Sequence, residues 1–301
     1  MTSDREVLIE GPWRHQEILA NGIRFHLAAG RSFTRDAPLV LLLHGFGQFW
    51  WAWRHVLPIL DEAGLSVAAL DLRGYGASDK TPRGYRQDMT AADVSGVIRS
   101  LGFASGCVVG HDWGGIAAWS TYAYAPEQVG ALALVGAPHP LRFPWTRMGR
   151  SAALGQLPIV PERMIMARHG ALVERLLRQR AAPGSGYLSA ADAEHYRRAL
   201  SQWPSPHCAL EYQRMFLRDQ IRPAGRIYRR ALARPVRVPV LTLRGELDRL
   251  VPSASMTPPD ASAAGELRQV ELPGIGHLPH EEAPEKVAVA LIDWHRAVLC
   301  G

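Results

Sequence analysis

Asp112 is the residue whose type and surroundings carry the most specific chemistry in this sequence, and it lies in the segment CVVGHDWGGIAAW. An apolar run typical of a β-strand precedes it, a helix-like run follows it, and Gly110 and Gly114 flank it. Small residues at these two places allow the sharp strand-to-helix turn of a nucleophile elbow, which exposes the central side chain above a sheet. A capping aspartate at a helix N-terminus is the alternative, but it would not require the two glycines.

A carboxylate in this place predicts a particular kind of substrate. The group is already ionised at neutral pH, and its attack on an acyl carbon would give a high-energy anhydride. Its attack on an sp³ carbon instead displaces a leaving group and forms an alkyl ester of the protein. The sequence therefore predicts alkylating electrophiles as substrates, instead of the esters and amides that a serine in this position would attack.

An ester on Asp112 must be hydrolysed, which requires a base that activates water and an acid that orients the base. His277 lies in LPGIGHLPHEE and Asp248 in LTLRGELDRLVP, each just beyond a predicted strand. Their competitors are His280 and Glu246, but the Gly-x-Gly-His context favours His277, and the GxxDxxVP spacing, similar to that of the family named below, favours Asp248. The chain order Asp112, Asp248, His277 is that of nucleophile, acid and histidine in the α/β-hydrolase fold.

The same chemistry needs hydrogen-bond donors for the oxyanion that forms when water attacks the ester. The segment HGFG, residues 44–47, follows another predicted strand and contains a turn rich in small residues. We expect the backbone N–H groups of Phe46 and Trp113 to converge on the carbonyl oxygen of the Asp112 ester. His44, His111 and Trp50 lie beside these segments and are predicted to line the substrate pocket.

Short apolar runs alternate with helical patterns along the chain, as in a parallel sheet covered by helices. The segments that predict strands are residues 38–45, 65–74, 106–115, 130–138, 238–245 and 266–274. Asn21 and Gly22 separate two alternating segments and predict a hairpin before the first of these strands. Thr90 and Asp93 predict the capping box at the start of a helix, and residues 281–299 predict a closing helix.

The alternation of strands and helices stops at about residue 139 and resumes at about residue 236. The residues between have helical periodicity, interrupted by PGSG and QWPSP. The sequence thus predicts an α/β core formed by residues 1–138 and 236–301, with a helical cap, residues 139–235, inserted into it. A length of 301 residues is compatible with one large domain that carries an insertion.

The net charge of +6 arises almost entirely from arginine, since Lys80 and Lys286 are the only lysines. The arginines are scattered, without the interleaved aromatic residues or the recognisable module of a nucleic-acid-binding surface, so nucleic acid is not expected as a partner. The arginines of the predicted cap, including Arg178, Arg180 and Arg197, are expected to lie on solvated helix faces.

Several further classes of protein are not expected from the composition. No apolar run approaches the ~18 residues of a membrane span, and the N-terminus lacks the apolar core of a signal peptide. The 3 cysteines form no CxxC pair, and no HExxH-type spacing is present. We therefore expect a cytoplasmic protein without a metal or another cofactor; the sequence makes no prediction of its oligomeric state.

The motifs HGFGQFWWAWRH, DLRGYGASDK, VVGHDWGG, GELDRLVP and GIGHLPHEEAP together resemble the epoxide hydrolases of the α/β-hydrolase superfamily, over nearly all of residues 12–300. The resemblance implies an α/β-hydrolase fold, a mostly parallel twisted sheet flanked by helices, with an inserted helical cap. It also implies a reaction in two steps: Asp112 opens an epoxide, and water activated by His277, itself held by Asp248, releases a vicinal diol. The substrate would be a small apolar or amphiphilic molecule, and no cofactor is implied.

In this family two tyrosines of the cap usually donate hydrogen bonds to the epoxide oxygen. By comparison of motifs, the equivalent positions are near Ser151 and at Gln213, so this sequence has no tyrosine at either place, and both residues are expected to line the pocket. Tyr212, next to the second position, is the candidate acid. Further candidates in the cap are Tyr187, Tyr196, Tyr228 and His207. Gly47 also replaces the usual proline of the family's HGxP segment.

Two other classes of function remain open. A haloalkane dehalogenase shares the aspartate elbow, and Trp113 with Trp50, Trp51 or Trp203 could hold its halide, although Phe46 stands where such enzymes generally have asparagine. A haloacid dehalogenase would need arginines beside the nucleophile, and WGGIAAW contains none. The third alternative is a repurposed or non-catalytic protein that binds a small ligand under its cap; the retained Asp112, Asp248 and His277 argue against it.

Overall fold

A single eight-stranded sheet forms the centre of the protein in the computed structural model. The structure describes residues 4–259 and 266–299, without the side chains of residues 4–5, 148–152 and 299. The strands are β1 (Trp13–Ala20), β2 (Ile23–Gly30), β3 (Leu39–Leu43), β4 (Ser66–Leu70), β5 (Gly106–His111), β6 (Val129–Val135), β7 (Val240–Gly245) and β8 (Leu267–Leu272). Their order is β1-β2-β4-β3-β5-β6-β7-β8. The pairs from β4 to β8 are parallel, whereas β1–β2 and β2–β4 are antiparallel. The predicted mostly parallel sheet is confirmed.

The helices are α1 (Val56–Glu62), α2 (Gln87–Ser100), α3 (Trp113–Tyr124), α4 (Trp145–Gly155), α5 (Val160–Met166), α6 (Ala171–Arg180), α7 (Ala190–Ser201), α8 (Ser205–Asp219), α9 (Pro223–Leu232), α10 (Pro279–Glu282) and α11 (Pro284–Leu299). Helices α4 to α9 all lie between β6 and β7, so a helical cap interrupts the strands of the core. The last of them also contacts the core, because the Tyr228 hydroxyl of α9 lies 2.7 Å from the Ser120 hydroxyl of α3. The limits of the cap at residues 139 and 235 stay a prediction.

The Asn21-Gly22 turn forms the predicted hairpin. Both residues have positive φ, 51° and 72°, as a two-residue turn with the twist of the flanking strands requires. The capping box predicted at Thr90 and Asp93 is wrong. Helix α2 begins earlier, at Gln87, and the Asp93 carboxylate instead pairs with Arg73 at 2.6 Å. The buried Arg73 binds the Asp93 carboxylate, and the sequence around Thr90 gives no sign of this tertiary contact.

The parallel strands bring their carboxyl ends to one edge of the sheet. Asp112 directly follows β5, which pairs with β3 on one side and β6 on the other. Phe46, Asp248 and His277 lie in the loops that follow β3, β7 and β8. Residues widely separated along the chain are therefore assembled under the cap by the topology of the sheet alone.

A buried polar network joins the cap to the core behind this edge. Arg54 is 5% exposed and forms ion pairs with Glu281 of α10 at 3.0 Å and with Asp192 of α7 at 3.1 Å. The Tyr196 hydroxyl of α7 and the Gln48 amide donate to the two oxygens of Glu281, at 2.7 and 2.6 Å. Helix α7 is thus held on the core by Arg54 and Glu281, which are almost fully buried, and by the partly buried Asp192.

Candidate active site

The turn between β5 and α3 has the geometry of a nucleophile elbow. Asp112 has φ 48° and ψ −114°, a backbone conformation that side-chain-bearing residues rarely adopt. The flanking glycines are required by close packing: a Cβ at Gly110 would lie 2.4 Å from the carbonyl oxygen of Gly114, and one at Gly114 would lie 2.4 Å from that of Leu43. The backbone strain at Asp112 is the kind that persists where the surrounding structure enforces it, as at functional sites.

His277 lies between the two carboxylates that the sequence predicts as its partners. Its Nδ1–H donates to Asp248 Oδ2 at 2.9 Å, and its Nε2 lies 3.9 Å from Asp112 Oδ1. The ring is fully buried, and within the described part of the chain Nε2 has no hydrogen-bond partner. This tautomer leaves a free lone pair on the nitrogen that faces Asp112, which is what a base for water needs.

The Asp248 carboxyl group is suited to orient the His277 imidazole because a lowered pKa favours its ionised form. Burial alone would raise the pKa of its carboxyl group, but the charge and hydrogen bond of His277 and the N–H groups of Val251 and Leu250 outweigh burial and lower the pKa. The competitor Glu246 is exposed and accepts from Gly274 N–H instead. The other competitor, His280, is fully buried, and its Nε2 lies 3.3 Å from the Gln48 amide nitrogen.

The structure places one of the two N–H groups predicted as oxyanion donors next to the Asp112 carboxylate. Phe46 N–H donates to Asp112 Oδ2 at 3.2 Å, so the two carboxylate oxygens have different surroundings: Oδ2 has a backbone donor, and Oδ1 faces His277. Trp113 is the first residue of α3, but no hydrogen bond from its backbone N–H to this carboxylate occurs in the described part of the chain. Its indole side chain instead lines the neighbouring cavity.

The two histidines and the tryptophan predicted to line the pocket are not among the residues that line the cavity beside the elbow, so this prediction is wrong. His44 is fully buried, and its Nε2 accepts from Leu72 N–H at 3.1 Å. His111 Nε2 lies 3.0 Å from the backbone oxygen of His277, to which it donates. Trp50 packs edge-on against Trp13, and its indole N–H donates to the Val7 carbonyl at 2.8 Å. These side chains support the loops, because the polar atoms of His44 and Trp50 bind backbone groups and those of His111 contact the His277 carbonyl and the Gln48 side chain.

A cavity of about 300 Å³ lies between the cap and the elbow. Phe46 and Arg180 line it and also contact the Asp112 carboxylate, so the cavity leads to the predicted nucleophile. Most of its remaining wall is apolar. The lining residues are Phe46, Trp113, Phe143, Leu154, Gly155, Leu157, Val160, Pro161, Met164, Ile165, Leu172, Leu176, Arg180, Leu210 and Gln213. Its size and its few polar groups suit a small, largely apolar ligand.

Gln213 lines this cavity as predicted, whereas Tyr212 does not. The Tyr212 hydroxyl donates to the Arg73 carbonyl oxygen at 2.9 Å, and its ring packs against Tyr75 and Tyr85. Adjacent positions on α8 point in different directions, so Tyr212 cannot take the place of its neighbour. The side chain of Ser151, in α4, lies outside the described residues.

The other cap candidates for an acid are also absent from the described cavity wall. Tyr196 donates to Glu281, Tyr228 contacts Ser120, and His207 Nδ1 lies 3.3 Å from Glu162. The Tyr187 hydroxyl is buried, and burial raises its pKa. The three hydrogen-bonding side chains among the lining residues are Trp113, Arg180 and Gln213. Of the four tryptophans that could hold a halide, only Trp113 lines the described cavity.

Arg180 is the site residue that the sequence did not identify. It is the last residue of α6, and its Nη1 lies 3.5 Å from Asp112 Oδ2. The expectation that it lies on a solvated face is wrong for this residue, whose side chain is only 15% exposed. Arg178, two residues earlier, is 46% exposed and pairs with Glu174, as expected of the solvated face. Within the described residues, no group of three or more His, Cys, Asp or Glu side chains is arranged to bind a metal.

Comparison with known proteins agrees with this architecture. Residues 38–284 match the family described as alpha/beta hydrolase fold. Epoxide hydrolase 3 of Xenopus tropicalis is 30% identical over 284 residues, which cover 91% of this chain and 75% of that protein. Epoxide hydrolase 4 of Mus musculus is 44% identical over 126 residues, 41% of this chain and only 34% of that protein. The crystal structure of epoxide hydrolase A from Mycobacterium thermoresistibile superposes with a TM-score of 0.80 and 25% identity, over 95% of this chain and 99% of that one.

The chain therefore belongs to the α/β-hydrolase family. It is a hydrolase that resembles the epoxide hydrolases in sequence and in structure. Across residues 4–259 and 266–299, none of the helices combines the length and the apolar character that crossing a bilayer requires.

Proposed function

We propose that this hydrolase converts an epoxide to a vicinal diol through a covalent ester on Asp112. The observation that carries the proposal is the pair of different environments around the carboxylate. Oδ2 accepts a hydrogen bond from Phe46 N–H, while Oδ1 faces the free Nε2 of His277 at 3.9 Å. Oδ1 is thus available to attack carbon, and Oδ2 becomes the ester carbonyl oxygen, already next to a donor.

The second half of the reaction uses the remaining groups. His277 Nε2 takes a proton from water, and the hydroxide attacks Cγ of the Asp112 ester. Asp248 stabilises the imidazolium that forms, because its carboxylate accepts from Nδ1–H at 2.9 Å. The tetrahedral oxyanion develops on Oδ2, and its collapse breaks the Cγ–Oδ1 bond. Oδ1 leaves with the product and takes the proton from His277, and the new Asp112 carboxyl group releases its own proton. Epoxide and water thus give a diol, and the enzyme is restored.

The haloalkane dehalogenase reaction is the second candidate, and the cavity wall is the observation that favours it. Its hydrogen-bonding side chains are Trp113, Arg180 and Gln213, all donors that can hold a halide. No tyrosine hydroxyl is present in the described part of this wall to protonate an epoxide oxygen. The epoxide reaction remains the first candidate because a relative that matches over most of the chain, Epoxide hydrolase 3 of Xenopus tropicalis, is an epoxide hydrolase. A purely ligand-binding role would not require the contacts among Asp112, His277 and Asp248.

Turnover of matched substrates tests the proposal. We expect the purified protein to hydrolyse 1,2-epoxyhexane or styrene oxide to the diol, as measured by gas chromatography, and the Asp112→Asn variant to lose at least about 10³-fold in rate.

The Tyr212→Phe variant is expected to keep turnover within about twofold, because among the described residues the Tyr212 hydroxyl bonds to the Arg73 carbonyl and not to a group of the site. Urea unfolding should show a loss of about 1 kcal/mol of unfolding free energy, the contribution of that hydrogen bond.

The outcomes separate the candidates. Halide release from 1-bromohexane without diol from any epoxide would replace the first candidate with the second. Equal diol formation by Asp112→Asn and the unmodified protein would contradict both.

A further inference from the structure

We propose, on the basis of the function proposed above, that Arg180 is the donor for the leaving atom of the substrate. As Asp112 Oδ1 bonds to the substrate carbon, the guanidinium exchanges its ion-pair contact with Oδ2 for a hydrogen bond to the atom that departs as an anion. A permanently charged cap arginine then does electrostatically what an acid would do by proton transfer. The substrate class that fits is a neutral epoxide or haloalkane with an apolar remainder.

Contacts of both its backbone and its side chain hold Arg180 in position. Its backbone carbonyl accepts the N–H of His277 at 2.9 Å, so the end of α6 is tied to the histidine loop. Its guanidinium lies over the ring of Phe46, 5.9 Å from the ring centroid, and its Nη1 donates to the Phe46 carbonyl at 3.4 Å. Arg180 and Phe46 both line the cavity. A substrate that approaches Asp112 from the cavity therefore meets the guanidinium before it can react.

The contact of Arg180 with Asp112 is loose enough to be exchanged. Its Nη1 lies 3.5 Å from Oδ2, whereas a strong charge-assisted hydrogen bond between such groups measures about 2.7–2.9 Å. In the described part of the chain the polar contacts of the guanidinium all use Nη1. An arginine has five N–H donors, so Nε and Nη2 remain for another acceptor. Gln213 lines the same cavity and carries a further amide donor.

Charge balance identifies the new acceptor. Before reaction the Arg180 cation faces the Asp112 anion beside a largely apolar cavity. Alkylation makes Asp112 neutral and transfers its negative charge to the leaving atom, so the cation loses its partner unless it takes the leaving anion. A buried cation without a partner is strongly unfavourable. A substrate with its own carboxylate would instead place a second anion beside Asp112, which one arginine cannot balance.

The step is balanced for both kinds of substrate. With an epoxide, the bond from Oδ1 to carbon forms while the carbon–oxygen bond of the ring breaks, and its electron pair stays on oxygen. The alkoxide is held by the N–H groups of Arg180 and takes a proton from water, and the hydroxide left behind is neutralised by the proton that the Asp112 carboxyl group releases after its ester is hydrolysed. With a haloalkane, the carbon–halogen bond breaks and the halide leaves paired with the same guanidinium. No change of protonation at Arg180 is needed in either case.

Leaving-group dependence is the measurement that tests this role. In a His277→Gln background, where the reaction stops at the ester, the rate of alkylation is followed by intact-protein mass spectrometry with 1-chlorohexane, 1-bromohexane, 1-iodohexane and 1,2-epoxyhexane. We expect Arg180→Met to slow alkylation by about 10²–10³-fold for the epoxide and the chloride and by much less for the iodide, which needs the least stabilisation. Arg180→Lys should recover part of the rate.

Arg178→Met is the matched control, because Arg178 lies on the same helix and is half-exposed; its alkylation rates should be unchanged. The three halides give one and the same hexyl ester. If Arg180→Met left every alkylation rate unchanged and instead slowed ester hydrolysis with His277 present, Arg180 would belong to the oxyanion site and the inference would be overturned. Equal slowing for all four substrates would overturn it as well. If the His277→Gln protein with Arg180 intact formed no adduct with any substrate, the proposed function would fail first, and the inference with it.

Discussion

Replacing His277 by glutamine is expected to convert the enzyme into a trap that keeps its substrate as an ester. Alkylation requires only the Asp112 carboxylate, whereas hydrolysis requires a base for water, and Nε2 of His277 is the nitrogen that faces the carboxylate. Glutamine fills a similar volume but cannot accept the proton. We expect the intact mass of the variant to rise by the mass of one whole epoxide, while steady turnover falls by about 10³-fold or more.

The matched control is the double variant Asp112→Asn/His277→Gln, which should show no mass increase. Digestion of the alkylated single variant should place the added mass on the peptide that contains Asp112. An adduct on any other residue would contradict the assignment of the nucleophile. Steady-state turnover of the His277→Gln variant at the rate of the unmodified protein would show that His277 is not the base.

Removing Arg54 is expected to destabilise the fold strongly. Arg54 is the cation paired with the buried Glu281, and its loss would leave that carboxylate without a counter-charge between core and cap. Breaking a buried pair in this way costs about 3–5 kcal/mol. Urea unfolding of Arg54→Met at pH 7 should show a loss of this size. The double variant Arg54→Met/Glu281→Gln should recover most of it, because the uncompensated charge is gone.

The loss should also depend on pH, with a defined sign. Burial raises the pKa of Glu281 above its usual value, and Arg54, Tyr196 and Gln48 only partly oppose this effect. A carboxyl group whose pKa is higher in the folded state binds protons more tightly there, so acid relieves its destabilising charge. Without Arg54 the pKa of Glu281 would rise further. The difference in unfolding free energy between Arg54→Met and the unmodified protein should thus be largest at neutral pH and shrink as the pH falls towards 5. A single and a double variant equally unstable at all pH values would contradict this account.

The residues at the sheet edge could be predicted because their signals are local. Asp112 is marked by the glycines on either side of it, and the structure gives each glycine a steric reason within the same turn. Asp248 and His277 follow strands β7 and β8, and parallel strands bring their carboxyl ends together whatever covers them. The strand pattern therefore carried enough information to place these three side chains near one another.

The residues contributed by the cap could not be predicted in this way. Tyr212 and Gln213 are adjacent on α8, and only the packing of this helix decides which of them reaches the cavity. Arg180 is the last residue of a helix and has charged neighbours there, and its sequence context resembles that of Arg178, which is exposed. His44 and Trp50 are near Phe46 in sequence, yet backbone groups bind their polar atoms. In each case a tertiary contact decided the outcome.

The central claim is the covalent ester on Asp112, and one turnover in water labelled with ¹⁸O tests it most directly. With enzyme in excess over epoxide, the oxygen added to the substrate should come from the Asp112 carboxylate, so the diol should be unlabelled. The label should appear in the peptide that contains Asp112, because water attacks Cγ of the ester. A labelled diol from the first turnover, with no label in that peptide, would mean that water attacks the epoxide directly and would contradict the account.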